Sequence, residues 1–297
     1  MNHSYDSYTE YIDTFKWEYG ITPLSSYSAL LIVPIYFTVL YCTHYYVTNI
    51  RRKAYDLNNI VIIHNSLLSI GSGVLFIAIV SELYHLITTT SFWSVYCDPY
   101  GIHTTGRITY IYYVNYIFKY IELLDTVLLA LRSKPMPFLH VYHHAATLVL
   151  CWSQLSAGSC VQWIPITINL FIHVVMYAYY TLHALRIDVW WKRYLTMLQI
   201  TQFVVALIGC CGGLTFKMLA NLGILESTQY NCHGDYSIAI FGLGILATYL
   251  ILFIDLYNNS YKKNKKGSRK FSDVVQPVIN ESHDAHPHPH TNGKKQQ

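Results

Sequence analysis

What most limits the folds open to this chain is a series of apolar runs, each about the 20 residues a helix needs to cross roughly 30 Å of hydrocarbon. Seven can be marked, at about 27–49, 58–86, 108–131, 138–156, 161–185, 194–219 and 235–257. They predict an all-α, polytopic membrane protein with a short segment 1–26, a transmembrane domain 27–260 packed as one bundle, and a polar tail 261–297. Composition points the same way. The 297 residues are 53% hydrophobic and 12% charged, where a soluble domain carries about 25% charged residues, and the mean hydropathy is +0.27.

An odd number of spans puts the termini on opposite sides, and the basic residues say which side is which. Arg51-Arg52-Lys53 follows the first span, Arg132 and Lys134 the third, Arg186 and Lys192-Arg193 the fifth, and Lys262-Lys263-Asn264-Lys265-Lys266 the seventh. All fall on one face, which the positive-inside rule makes cytosolic, leaving the N-terminus lumenal. The net charge of +4 is thus accounted for by topology, with no call for a nucleic-acid partner. Met1–Tyr27 lacks the basic, apolar, small-residue order of a cleavable signal, so the first span is expected to serve as its own.

Of the seven cysteines none forms a CxxC pair, which argues against a structural zinc. Cys97 and Cys232 fall in loops on the lumenal side, where an oxidising compartment predicts a disulfide between them. Asn2-His3-Ser4 is a glycosylation sequon on that same side. The tail reads as disordered and cytosolic. It carries His283, His286, His288 and His290, more simply a solvated low-complexity end than a metal site, and finishes in Lys294-Lys295-Gln296-Gln297, which looks like a dilysine retrieval signal for the endoplasmic reticulum.

Titratable groups inside the spans are costly and so mark function. His140, His143 and His144 stand where the fourth span begins. Helical spacing gathers their imidazoles within an arc of roughly 100°. In the third span Lys119 can pair with Glu122 one turn on, an ordinary structural ion pair, but Asp125 is left over and favours a hydrated or substrate-filled interior. In the fifth span Asn169, His173, Met176, Tyr177 and Tyr180 recur along one face. An interfacial aromatic belt would explain the tyrosines but not His173 and Asn169. Thr196, Gln199 and Gln202 recur in the sixth span, as helix-bridging amides also would. His44, His64 and His85 are single histidines of the sort that usually hydrogen-bond a neighbouring helix.

Four motifs in order, Lys119-x-x-Glu122-x-x-Asp125-Thr126, His140-x-x-His143-His144, His173-x-x-Met176-Tyr177-x-Tyr179-Tyr180 and Thr196-x-x-Gln199-x-x-Gln202, resemble the ELO family of very-long-chain fatty-acid elongases over roughly residues 30–260. The wording around the histidines is similar to that of fungal or protist members. The resemblance implies a seven-helix bundle in the endoplasmic-reticulum membrane, six helices enclosing a tunnel for an acyl chain. The implied activity is the condensing step of elongation, a very-long-chain 3-oxoacyl-CoA synthase. It joins acyl-CoA to malonyl-CoA to give a 3-oxoacyl-CoA two carbons longer, carbon dioxide and CoA. No redox cofactor or metal enters that step. The implied partners are the ketoreductase, dehydratase and enoyl reductase that complete the cycle.

By the same resemblance His143 is the nucleophile that carries the acyl group, as a neutral imidazole can, and it sits near a helix N-terminus, the positive end of the dipole, which disfavours a cation. His173 would lie beside the reacting carbonyl and support the enolate, while His140 and His144 would hold its tautomer or move protons. Lys119, Glu122, Asp125, Thr126, Asn169, Met176, Tyr177, Tyr180, Gln199 and Gln202 would surround the substrate, with cytosolic Arg and Lys meeting the CoA phosphates. Cys151 is a rival nucleophile, since soluble condensing enzymes use cysteine, but two helical turns, ~12 Å, separate it from His143. Membrane di-iron desaturases and hydroxylases also carry HxxHH boxes, together with further histidine boxes that this chain lacks; iron in the purified protein would mark that class. A seven-helix receptor or transporter is the non-enzymatic rival, and malonyl-dependent carbon dioxide release would exclude it.

Overall fold

The computed structural model describes residues 9–262. The glycosylation sequon at Asn2, the tail histidines and Lys294-Lys295 lie outside them. Among the described residues there is no named strand, only an isolated antiparallel bridge between Lys16 and Thr105. Seven long helices carry the fold: α1 Ser28–Tyr45, continued by a π turn Tyr46–Arg51, α2 Asn58–Thr89, α3 Gly106–Leu131, α4 Phe138–Ser156, α5 Trp163–Ala184, α6 Lys192–Asn221 and α7 Tyr236–Tyr257. Five of them, α1, α2, α5, α6 and α7, are long and apolar enough to cross a membrane. α3 and α4 are the two that carry the charged and imidazole motifs.

The turns after α1, α3 and α5 are sharp. Arg52 (φ 55°), Ser133 (φ 50°) and Arg186 (φ 62°) take the left-handed conformation that ends a helix. Pro135 and Pro137 then prevent α3 from running on into α4, which starts at Phe138 directly after Pro137.

Met1–Asp255 forms one compact unit. Within it α2 lies along α5, α5 packs on α6, and α3 packs on both α2 and α4. α6 meets α7 through Phe203 and Ala206 against Leu246, Tyr249 and Phe253. α7 meets α4 through the Tyr249–Thr147 hydroxyl pair (2.8 Å) and Gln154, whose amide donates to the Ile238 carbonyl (3.1 Å). Helices α2 to α7 therefore close into a ring in the order α2, α5, α6, α7, α4, α3, and α1 packs outside on α3 and α4. The outward face of α2 shows why such a ring suits lipid. Ile63, Leu67, Ile70, Val74 and Ile77 form a stripe, each at least 59% exposed, that water would not tolerate on a soluble surface. The second unit, Leu256–Gln297, is described only through the last residues of α7 and the π turn Asn258–Lys262.

At one end of the ring, a short helix Phe92–Cys97 is capped by the Ser91 hydroxyl, which accepts from the Ser94 N–H (3.1 Å). The expected disulfide is present: Cys97 is bonded to Cys232 and so ties this helix to the α6–α7 loop. Asp98 and His103, both fully buried, fix the next turn. The Asp98 carboxylate accepts from the N–H groups of Ile102 and His103. His103 Nε2 donates to the Val95 carbonyl (2.7 Å), which can only accept, so Nδ1 accepts from the Tyr112 hydroxyl (2.7 Å). Burial holds the His103 pKa below its ordinary value, which keeps the ring in this neutral form.

Candidate active site

Two carboxylates one turn apart on α3 organise the opposite end. Glu122 accepts from the Lys119 ammonium (2.8 Å), and both side chains are almost wholly buried, at 3% and 2% exposed. Lys119 also donates to Asn169 Oδ1 of α5 (3.1 Å). His173 Nδ1 stands 3.2 Å from Glu122 Oε1, within ion-pair reach but off the axis of a hydrogen bond. The local ion pair that the spacing predicts is thus real, and α5 completes it from across the ring.

Asp125 has partners from three other helices. His64 Nε2 of α2 is 2.5 Å from Oδ1, the Tyr177 hydroxyl of α5 donates to Oδ2 (2.7 Å), and His144 Nε2 of α4 lies 3.7 Å from Oδ2. Thr126 is turned the other way, accepting from the Tyr36 hydroxyl of α1 (2.8 Å); its contact ties the outer helix to the ring.

The α4 imidazoles do cluster. The rings of His140 and His144 are 4.5 Å apart between centroids, and His143 lies 4.6 Å from the ring of Tyr249. Tyr249 donates to the His143 carbonyl (3.1 Å) and so fastens α7 to the histidine turn. His143, Lys119, Asn115, Cys151, Asn169 and Gln202 line one cavity of about 110 Å³. It extends past Phe203 and Leu246 to Lys217, Cys232 and His233 near the disulfide.

Of the ten buried side-chain polar atoms without a hydrogen-bond partner among the described residues, five lie around this site: His140 Nε2, His143 Nδ1, His173 Nδ1, Asn115 Oδ1 and Gln202 Oε1. Native interiors leave few such atoms, each costing about 1–3 kcal/mol, so their concentration here marks a place where a ligand completes the bonding. Gln199 is occupied across the α5–α6 contact, its amide donating to Met176 Sδ (3.5 Å). Tyr177 is fully buried, but Tyr180, on the same predicted face, is 38% exposed.

Three residues join the site without having been singled out for it from the sequence. Asn115 sits one turn before Lys119 on the same face of α3, a signal in plain view. His64 and Tyr249 come from helices that no local pattern connects to α3 or α4. Among the described residues no group of three or more His, Cys, Asp or Glu is arranged to hold a metal ion.

The model of the ELO (GNS1/SUR4) family matches residues 23–269, which includes every helix of the ring. The chain belongs to this family. The Schizosaccharomyces pombe protein named "Putative fatty acid elongase 1" is 38% identical over 266 residues, 86% of this chain and 76% of its own. Fatty acid elongase A of Dictyostelium discoideum is 30% identical over 264 residues, 87% and 92% of the two chains. Very long chain fatty acid elongase 2 of Mus musculus is 28% identical over 249 residues, covering 81% and 78%. As an ELO member with five helices able to cross a bilayer, the chain is a multi-pass membrane protein.

Proposed function

We propose that this ELO protein is the condensing enzyme of fatty-acid elongation, joining a long-chain acyl-CoA to malonyl-CoA through an acyl group carried on His143. The observation that carries the reading is the set of orphaned polar atoms around a long cavity on which His143 opens. In the first half-reaction a ring nitrogen of His143 attacks the thioester carbonyl, the C–S bond breaks, and CoA leaves as the thiol with the proton given up by the ring. In the second, malonyl-CoA loses carbon dioxide and its enolate attacks the acyl carbon, breaking the C–N bond and forming the 3-oxoacyl-CoA. His173, held beside Glu122, supports the enolate oxygen. Lys119, Asn169 and Gln202 order the polar end of the cavity, and the apolar wall along α6 and α7 takes the acyl chain.

On this reading α3 and α4 cross the bilayer with the other five long helices, their charges paired inside the ring. The basic turns face the cytosol, where acyl-CoA and malonyl-CoA arrive, and the setting is the endoplasmic reticulum beside the reductases and dehydratase of the cycle. The protein supplies the chemistry from its own side chains. Purified enzyme mixed with acyl-CoA alone should release one equivalent of CoA and gain the acyl mass on the α4 peptide. Radiolabelled malonyl-CoA should then give carbon dioxide and an extended product. CoA release without mass on that peptide would overturn the acyl-histidine assignment, and iron in the purified protein together with oxygen consumption would point to a desaturase instead.

A further inference from the structure

The reaction proposed above consumes a proton. Acylation of His143 uses the ring's own N–H to release CoA as the thiol. Decarboxylation turns a carboxylate into neutral carbon dioxide and leaves the negative charge on the enolate. When the enolate displaces the acyl group, that charge passes to the ring, which needs a proton from solvent before the next cycle. Each turnover must therefore bring one proton to a group enclosed by six helices.

We propose that His64 and Asp125 are the inlet for that proton: His64 takes it from water and hands it through Asp125 to His144, beside His143. The placement supports this at every link. His64 is in the second turn of α2, Asp125 two turns from the end of α3 and His144 in the second turn of α4, so all three lie at the ring end bearing Arg52, Arg132 and Lys134. That end is held together by Asn58, whose amide donates to the Ala184 carbonyl (3.1 Å), and by the Tyr55 N–H on the Leu131 carbonyl (3.1 Å). The side chains of His64 and Asp125 each keep 12% of their surface exposed, whereas His144, Glu122 and Lys119 keep 7%, 3% and 2%. Exposure thus falls from the His64–Asp125 pair to His144.

The first link is a hydrogen bond and the two that follow are longer. His64 Nε2 and Asp125 Oδ1 are 2.5 Å apart. Rotation of the carboxylate exchanges its two oxygens and brings the protonated one to the side on which His144 Nε2 lies 3.7 Å away, and the ring of His144 stands 5.7 Å from that of His143 between centroids, edge to face. In the transfer His64 Nδ1 accepts a proton from water while its Nε2 proton passes to Asp125. The carboxyl then gives its proton to His144, and His144 passes one to the ring of His143; exchange with water resets the His64 tautomer. Asp125 is also faced by Tyr177, which donates to it, by Tyr180 and His140 nearby, and from α1 by Tyr36 on the neighbouring Thr126. His64 touches no reacting atom in this scheme. It is a positioning residue acting through Asp125, and it rests on the acyl-histidine reading.

The test is His64→Gln in the full-length enzyme, because glutamine can still donate to Asp125 but cannot relay a proton. The expected result is an unchanged burst of CoA from acyl-CoA alone and malonyl-dependent turnover slower by about 10²-fold. Turnover should also fall more steeply with rising pH, show a larger solvent deuterium effect, and recover on addition of free imidazole. Full turnover in H64Q, or slow turnover that neither responds to imidazole nor changes its isotope effect, overturns the inlet and leaves His64 a structural partner of Asp125. A wild-type enzyme that releases no CoA from acyl-CoA alone overturns the acyl-histidine reading, and the inlet with it. Should H64Q not fold, the wild-type isotope effect decides: confined to the malonyl-dependent step it supports the inlet, and absent there it removes it.

Discussion

The two ends of the helix ring are both polar and buried, yet they are built on opposite rules. At the disulfide end Asp98 and His103 spend both carboxylate oxygens and both ring nitrogens on protein partners. At the other end the motif residues His140, His143, His173 and Gln202 leave four polar atoms unpaired, and Asn115 leaves a fifth. Buried polar networks rigidify when fully satisfied and are expensive when they are not. The contrast therefore separates a knot that holds the chain from one that awaits a ligand, a distinction that residue types alone would miss, since histidine and aspartate serve in both.

The comparison is most exposed at the nucleophile. His143→Ala should cut malonyl-dependent carbon dioxide release by at least on the order of 10⁴-fold while thermal unfolding stays near wild type, because the ring is replaced at a position with an unpaired atom. Cys151→Ala, from the same cavity wall, should leave turnover far less affected. Acyl transfer lost in C151A and kept in H143A would move the chemistry to the thiol.

Next comes Lys119→Met, which leaves the buried Glu122 carboxylate with only the His173 ring beside it. It should destabilise by about 3–5 kcal/mol in a detergent-micelle unfolding assay. Adding Glu122→Gln should restore most of that stability without restoring turnover, because the ammonium that orders Asn169 would still be missing. If K119M alone unfolds no more readily, the pair is not the buried unit described here.

At the satisfied end, Cys97→Ser with Cys232→Ser, or reductant on the wild type, should cost about 2–4 kcal/mol, while activity per folded molecule is kept. The smallest effect is one of pH. The folded His103 resists protonation, whereas the unfolded ring takes a proton below about 6.5. The unfolded state then binds more protons, so stability falls as pH drops through that value, by at most about 1.4 kcal/mol per unit. Above it the contribution is fully present. His103→Gln should flatten this slope in unfolding measured from pH 7.5 to 5.5, and an unchanged slope would place the titration elsewhere.

Much of this was legible in the sequence. Each of the seven runs became a long helix with ends within a few residues of those expected, and five of the seven are apolar enough to cross a membrane. The Lys119–Glu122 pair was legible because three residues is one turn, and the shared side of Cys97 and Cys232 followed from counting spans. What could not be read was contact between helices distant in sequence. His64 lies 61 residues from Asp125 and Tyr249 106 from His143, separations on which helical periodicity is silent. Face arithmetic also failed in detail. Tyr180 shares a stripe with Tyr177 yet lies exposed near the end of α5, and Thr126, inside a motif, turns to α1 instead of the cavity.

The Cys97–Cys232 bond has a consequence for how the molecule is made. Its two sulfurs are 135 residues apart, so at ordinary ribosomal speed the first thiol emerges on the order of 10 s before its mate. Through that interval Cys97 must stay reduced and clear of Cys160, which ends up buried against the same cluster. Biogenesis of this wall of the cavity is therefore a matter of timing, and an oxidant acting too early would trap a wrong thiol partner in a half-inserted chain.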